Sequence, residues 1–187
     1  MIKMGTKGRR KSSSCVYEEP TLLSDVAKIQ NLAKEKGFYD GDSLDIEKLI
    51  NEISSQSPAS PIEIRKIPML SYLSGSLCYK DGKWIMTVNS KHHENRQRFT
   101  LAHELAHYIL HKEKNTEFED STFFRGNNMD SLEYMANDFA ATLLMPDEKI
   151  VSYINEGVRN LGKLAKIFNV SAAAMKYKVE KLGYKVR

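Results

Sequence analysis

The sequence predicts an α+β protein in which a small sheet precedes the helices that carry the chemistry. Three observations lead there. Residues 62–67, "IEIRKI", alternate with the period of a strand, and two more strand-like runs in "SGSLCYKDGKWIMTVNS" flank Asp81-Gly82. Before and after this region the apolar residues recur at helical spacing. Within one helical stretch, "RQRFTLAHELAHYILH" at 96–111, two histidines stand four apart with a glutamate beside the first.

Taken in order, residues 1–20 are Gly-, Ser- and Lys/Arg-rich, close with Pro20 and read as an unstructured basic tail. From Thr21, the stripe Leu22, Val26, Ile29 and Ala33 predicts a helix with Gly37 as its stop. Asp42 or Ser43 caps a second helix carrying Leu44, Leu49, Ile50 and Ile53, which dissolves in "SSQSPASP". Asp81-Gly82 suits a type I′ hairpin turn, which sets Tyr79 opposite Trp84 and Leu77 opposite Met86 in a small antiparallel sheet. Over 95–111, Phe99, Ala102, Leu105, Ala106, Ile109 and Leu110 cover much of a helix circumference, so this helix should be buried. A further helix runs from about Asp130 to Leu144, with Leu132, Ala136, Phe139, Ala140 and Leu143 inward and Pro146 marking its end. Short helices follow around 148–156, in "LGKLAKIF" and in "SAAAMKYKVEKLG". The expected organisation is a tail at 1–20, a main domain at 21–146 and a C-terminal helical segment at 147–187.

A chain of 187 residues, 41% hydrophobic and 28% charged, can bury one real core but not two large domains. No run approaches the ~18 apolar residues that cross a bilayer, and the N-terminus lacks the apolar block of a signal peptide, so a cytoplasmic location is expected. The two cysteines, Cys15 and Cys78, read as free thiols in that setting. The net charge of +4 owes much to Lys3, Lys7, Arg9, Arg10 and Lys11 of the tail, a solvated end rather than a nucleic-acid footprint.

His103 and His107 are the residues that carry chemistry. On a helix, positions four apart share a face, so both imidazoles can reach one ion at ~2.0–2.1 Å. Glu104 can lean over that ion without binding it, take a proton from water the metal has made acidic, and return it to the leaving amine. This is the H-E-x-x-H logic of zinc peptidases. The competing reading, a buried helix with two satisfied histidines, is weakened by the apolar surroundings, where unpaired polar groups are costly. A catalytic site needs a third protein ligand. His111 continues the spacing but drifts around the helix, and it reads as a surface residue, as do His92 and His93. Glu133 is the better candidate, with Asn137 one turn on to orient an imidazole. On residues alone, Glu133 also fits the third position of a capping box begun by Asp130, and it cannot do both; the metal role is the favoured one.

"NRQRFTLAHELAHYILH" followed by "EYMANDFAATLLMP" resembles the ImmA/IrrE-type zinc metallopeptidase family, over about residues 20–183 and most strongly over 84–146. The resemblance implies His103, His107 and Glu133 as zinc ligands and Glu104 as general base. It also implies a minimal zincin-like fold: a short antiparallel or mixed sheet, the HExxH helix, the ligand-bearing helix and a helix-turn-helix-like piece. In that piece Asn169-Val170-Ser171 would be the turn, Met175, Val179 and Leu182 the packed stripe, and Lys176, Tyr177, Glu180 and Lys181 the exposed face. Glu180 and the small residues Ala172 to Ala174 make a poor phosphate-binding face, so packing is the stronger reading and DNA binding the weaker. The chain resembles the short, mobile-element-associated ImmA branch. That branch implies a protein substrate, a helix-turn-helix repressor or antitoxin of a prophage or integrative element, with an exposed edge of the 62–88 sheet available to an extended segment. Tyr134, Tyr153, His92 and His93 are candidates for stabilising the oxyanion, while Arg96 and Arg98 read as surface residues. The rival classes are a non-catalytic partner-binding or toxin-antitoxin protein with structural zinc, and a DNA-binding regulator.

Overall fold

A computed structural model describes residues 19–111, 117–120 and 131–186, with only the backbone described for 19–25, 111 and 117–120. The basic residues and Cys15 of the tail, the cap proposed at Asp130 and the side chain of His111 therefore lie outside the described residues. Helix α1 (Glu19–Glu35) takes Pro20 into its first turn, where a missing N–H forfeits no helical bond. It stops at Gly37 as expected. Gly37 has φ +69°, and the N–H groups of Gly37 and Phe38 return to Lys34 and Ala33 at 3.1 and 2.9 Å.

The next segment corrects the sequence reading. Strands β1 (Tyr39–Asp40) and β2 (Ser43–Leu44) form a two-stranded sheet, turning at Gly41 with φ 58°. Helix α2 (Ile46–Ser55) begins only afterwards, capped by Asp45, whose carboxylate accepts the Lys48 N–H at 3.1 Å. Neither Asp42 nor Ser43 is the cap, and Leu44 is a buried strand residue. Leu49 and Ile50 do face the core.

Strands β3 (Ile62–Ile67), β4 (Gly75–Lys80), β5 (Lys83–Asn89) and β6 (Glu117–Asp120) form the main sheet in the order β3-β5-β4-β6. The β4–β5 hairpin has Tyr79 opposite Trp84 and Leu77 opposite Met86, as expected, with the Tyr79 and Trp84 rings 5.2 Å apart. Both turn residues have positive φ, Asp81 at 53° and Gly82 at 79°, as a type I′ turn demands. The sheet is mixed rather than antiparallel throughout, because β5 returns between β4 and β3 and pairs with β3 in parallel. On the other side, β6 pairs with β4, so the outer strands are β3 and β6, and the edge that residues 62–88 leave open is that of β3.

Helix α3 (Glu94–His111) packs on this sheet and against α4 (Ser131–Leu144). One buried cluster unites Leu77, Met86 and Val88 of the sheet with Leu105 of α3 and Phe139 and Leu143 of α4. The helices α5 (Asp147–Asn155), α6 (Leu161–Ile167) and α7 (Ala172–Lys181) extend the same cluster through Ile150, Leu164, Phe168, Met175 and Val179. Arg98 of α3 ties these pieces together, donating to the Leu44 carbonyl at 2.8 Å and to the Asn169 carbonyl at 3.1 Å. On α7, Tyr177 is half-buried rather than exposed, and Lys178 is only 2% exposed. The Lys178 ammonium donates to Thr142 Oγ1 at 2.9 Å and pairs with Asp147 at 2.5 Å, which offsets the cost of burying its charge. Among the described residues no helix is long and apolar enough to cross a membrane.

Candidate metal centre

The site forms where α3 and α4 touch. Helix α3 has Glu94 in its first turn, where a carboxylate suits the positive end of the helix dipole. Its middle is nearly all apolar, so His103, Glu104 and His107 are carried into the interior, with exposures of 0%, 0% and 1%. Three ionisable side chains in such a place require compensating partners.

Glu133, in the first turn of α4, supplies one of them. Its two carboxylate oxygens lie 3.2 Å from His103 Nε2 and 3.2 Å from His107 Nε2, and the two Nε2 atoms are 3.0 Å apart. The imidazole planes stand 79° apart, so both ring edges turn toward a common point. Asn137, one turn beyond Glu133, has its side-chain oxygen 3.1 Å from His103 Nδ1. An amide oxygen only accepts, so Nδ1 carries the proton and Nε2 presents its lone pair.

This donor set fits a metal ion. Four ligands held tetrahedrally at ~2.0–2.1 Å from zinc are about 3.3 Å from one another. The three separations here, 3.0, 3.2 and 3.2 Å, are near that spacing. A ring lone pair, a second imidazole nitrogen and a carboxylate at such distances define a pocket that a cation would complete. Burial raises the Glu133 carboxyl pKa, but where His103 and His107 are protonated their Nε2–H groups and charge outweigh it and hold the group well below the ordinary carboxylate range. The alternative use of Glu133 as a capping-box residue would need its side chain turned back toward the helix start, whereas here both oxygens face the histidines.

One participant escaped the sequence reading. Gly75, the first residue of β4, packs so closely on α3 that a Cβ there would sit 2.4 Å from Thr100 Cγ2, 2.7 Å from the Thr87 carbonyl oxygen and 3.0 Å from Glu104 Oε1. The bare glycine is what lets the strand press against Glu104. A glycine inside a strand-like run was the available signal, since it marks close approach of another group.

The remaining candidates are occupied elsewhere. The Tyr153 hydroxyl donates to Asp42 at 2.6 Å, between α5 and the β1–β2 turn. Tyr134 is exposed, with the Lys181 ammonium 5.5 Å from its ring centre. His92 Nε2 lies 3.1 Å from the Ser71 carbonyl, and His93 Nδ1 accepts the Asn95 N–H at 3.2 Å. Arg96 donates to Ser74 Oγ at 2.8 Å, and Arg98 is the structural tie described above, not a surface residue.

A small mixed sheet, a buried helix with paired histidines and a third arm from the following helix together describe a metallopeptidase-type domain. The chain belongs to the family described as "IrrE N-terminal-like domain", a peptidase family whose model matches residues 59–180. It is 31% identical over 128 residues to "Uncharacterized immunity region protein 2" of Bacillus phage phi105, covering 65% of this chain and 79% of that protein. It is 34% identical over 94 residues to "Metallopeptidase ImmA" of Bacillus subtilis, covering 46% of this chain and 51% of the relative. It is also 32% identical over 110 residues to "Radiation response metalloprotease IrrE" of Deinococcus radiodurans, covering 54% of this chain and 34% of that longer protein. The fold resembles the solved structure of a "Mycobacterium tuberculosis transcriptional regulator", with TM-score 0.54, 13% identity, and coverage of 83% of this chain and 46% of that one.

Proposed function

We propose that this protein is a cytoplasmic zinc endopeptidase acting on a specific protein partner, a helix-turn-helix repressor or antitoxin of a prophage or other mobile element. The observation that carries the reading is the meeting of His103, His107 and Glu133 within about 3 Å of one another, directly beside Glu104 on the same helix. In this reading His103, His107 and Glu133 hold the zinc. Asn137 fixes the His103 tautomer so that Nε2 faces inward, and it would tune ligand basicity as outer partners of metal ligands do. Zinc bound there would polarise the scissile carbonyl and acidify the attacking water. Glu104 would take a proton from that water and deliver it to the departing amine nitrogen, its carboxylate lying beside Gly75 at the start of β4.

The substrate class is supported by two relatives whose names place them in phage immunity and in metallopeptidase chemistry. We assign catalysis to residues 21–146, and to 147–187 a packing role. Lys181 and Lys176 of α7 are paired with Asp138 and Glu180, and Lys178 is buried, which makes α7 itself a poor phosphate-binding helix.

Two measurements test the reading. Zinc content should be one per chain in the parent and fall sharply in Glu133→Ala; equal stoichiometry in both would sink Glu133 as a ligand. A repressor encoded beside this gene should be cut by the parent and not by Glu104→Gln. Full activity in Glu104→Gln would remove the assigned base.

A further inference from the structure

The loop that joins β3 to β4 keeps two large apolar side chains in water. Leu70 is 60% exposed and Tyr72 57%, and Ile67 at the entrance to the loop is 45% exposed. A single exposed leucine needs no explanation, but a loop built to hold two large apolar groups outward does.

The building is done by Asn89, fully buried at the end of β5. Its amide nitrogen donates to the carbonyls of Leu70 and Leu73 at 3.0 and 2.8 Å, and its amide oxygen accepts the N–H groups of Met69 and Lys91, both at 3.1 Å. The Asn89 backbone N–H adds a bond to the Ser74 carbonyl at 2.9 Å. From α3, Arg96 donates to Ser74 Oγ at 2.8 Å, and His92 Nε2 lies 3.1 Å from the Ser71 carbonyl. The backbone that displays Leu70 and Tyr72 is thus fixed before any partner arrives, which removes much of the ordering cost of binding.

The same loop leads straight into the candidate active site, since Ser74 is followed by Gly75, where a Cβ would come 3.0 Å from Glu104 Oε1. A polypeptide presenting a bond to Glu104 has the Leu70–Tyr72 surface at the start of the strand that borders the base. That continuity selects the occupant.

We propose that Leu70 and Tyr72 form a docking surface for apolar side chains of the protein substrate, on the stretch flanking the bond presented to Glu104. The assignment of the occupant rests on the peptidase reading above. The surface sets specificity through binding and takes no part in the bond-breaking step.

The test uses the full-length, zinc-loaded protein with dye-labelled casein, an unfolded polypeptide with many apolar side chains, as probe. In the double variant Leu70→Ser/Tyr72→Ser, KM should rise at least tenfold while kcat stays within twofold. Zinc content and melting temperature should not change, because neither side chain is buried. Tyr79→Ser, which alters an exposed aromatic at the other end of β4, should leave KM alone. Equal KM in the parent and the double variant would overturn the proposal, as would an equal rise in Tyr79→Ser. A second arm measures labelled-casein binding by anisotropy in the Glu104→Gln background, where adding Leu70→Ser/Tyr72→Ser should raise Kd at least tenfold. If the parent binds casein without cutting it, binding lost with those two residues keeps the docking surface, and the hydrolytic reading then falls or stands on the Glu104→Gln cleavage test above. A zinc-loaded protein that neither binds nor cuts casein overturns the surface.

Discussion

Gly75→Ala places one methyl group where the sheet meets the helix that carries the proposed base, and its cost follows from three distances. The new carbon would lie 2.4 Å from Thr100 Cγ2, 2.7 Å from the Thr87 carbonyl oxygen and 3.0 Å from Glu104 Oε1. Ordinary contact begins near 3.4 Å, so about 1 Å of movement is needed against Thr100 and about 0.7 Å against Thr87. Thr87 offers a backbone atom in the central strand of the sheet, and Thr100 is fully buried on α3, so neither can simply swing aside. The relief must come from β4 and α3 moving apart, or from the Glu104 carboxylate being displaced. Overpacking of this kind costs about 1–3 kcal/mol. Replacing a glycine of ordinary φ returns about 0.4–1 kcal/mol through the unfolded chain, so a net loss of roughly 1–2 kcal/mol is expected. For a domain of this size that lowers Tm by roughly 3–8 °C. A displacement of about 1 Å at a catalytic base can cost on the order of a hundredfold in rate. The assay pairs thermal unfolding with kcat on the proposed protein substrate and with metal content. The expected result is a modest Tm loss, a large kcat loss and unchanged metal content, because the three atoms nearest the new carbon include Glu104 and none from His103, His107 or Glu133. Parent-like Tm and kcat in Gly75→Ala would refute the claim that strand and base are in close contact.

Three further perturbations probe other parts of the structure. Asn89→Ala removes four side-chain hydrogen bonds to the 69–73 loop and Lys91 and should cost about 2–4 kcal/mol in urea unfolding; a loss below about 0.5 kcal/mol would show that the clamp holds nothing. Asp42 is raised by burial but lowered further by hydrogen bonds from Tyr153 and Lys149, so its net pKa is depressed. A depressed carboxyl contributes stability that is present above the unfolded value of about 3.9 and is lost as pH falls through the folded value. Tyr153→Phe should therefore raise the Asp42 pKa, followed by carboxyl NMR, and move acid unfolding to higher pH; an unchanged titration would remove Tyr153 as the cause. Finally, Cys78 on β4 is the Cα partner of Glu117 on β6, and facing residues of an antiparallel pair lie within the ~4.4–6.8 Å that a disulfide spans. Glu117→Cys in a Cys15→Ser background should form an intramolecular bridge under mild oxidation, read by mass spectrometry, and its failure to form would refute the register of β6.

What could be read from the sequence divides along physical lines. The hairpin was legible because a type I′ turn demands positive φ at two adjacent residues and Asp81-Gly82 provides them; the register followed from the turn. The pair His103 and His107 was legible because helical spacing alone places both on one face. Glu133 was only half legible, since a glutamate in a first turn serves a cap as well as a metal. The β1–β2 pair was not legible, because strands of two residues have no period to detect, and Leu44 therefore counted toward the wrong element. Parallel pairing of β3 with β5 was equally hidden: alternation reports that a strand has two faces and says nothing of its neighbour. Buried Lys178 could not be foreseen because its partners, Thr142 and Asp147, belong to elements that only tertiary packing brings to α7. Arg98 was read as surface for the same reason, its acceptors being main-chain carbonyls at Leu44 and Asn169.

The geometry of the centre depends on how closely two helices can approach. Glu133 has a short reach, yet its oxygens come within 3.2 Å of both histidines across the α3–α4 contact. Helices approach to the near end of the 8–10 Å range only when the residues at the crossing are small. Here the buried stripes carry Ala102 and Ala106 beside the histidines of α3, and Ala136 and Ala140 beyond Glu133 on α4. Larger apolar residues would bury more area and pack as stably, so hydrophobic burial alone does not account for four alanines. The distance requirement does. A carboxylate and two imidazoles meet at a separation of about 3 Å across the α3–α4 contact, and Asn137 reaches His103 from the same helix as Glu133. Small residues on both helices are what a close α3–α4 contact requires, and the candidate site draws all of its metal-facing groups from that contact.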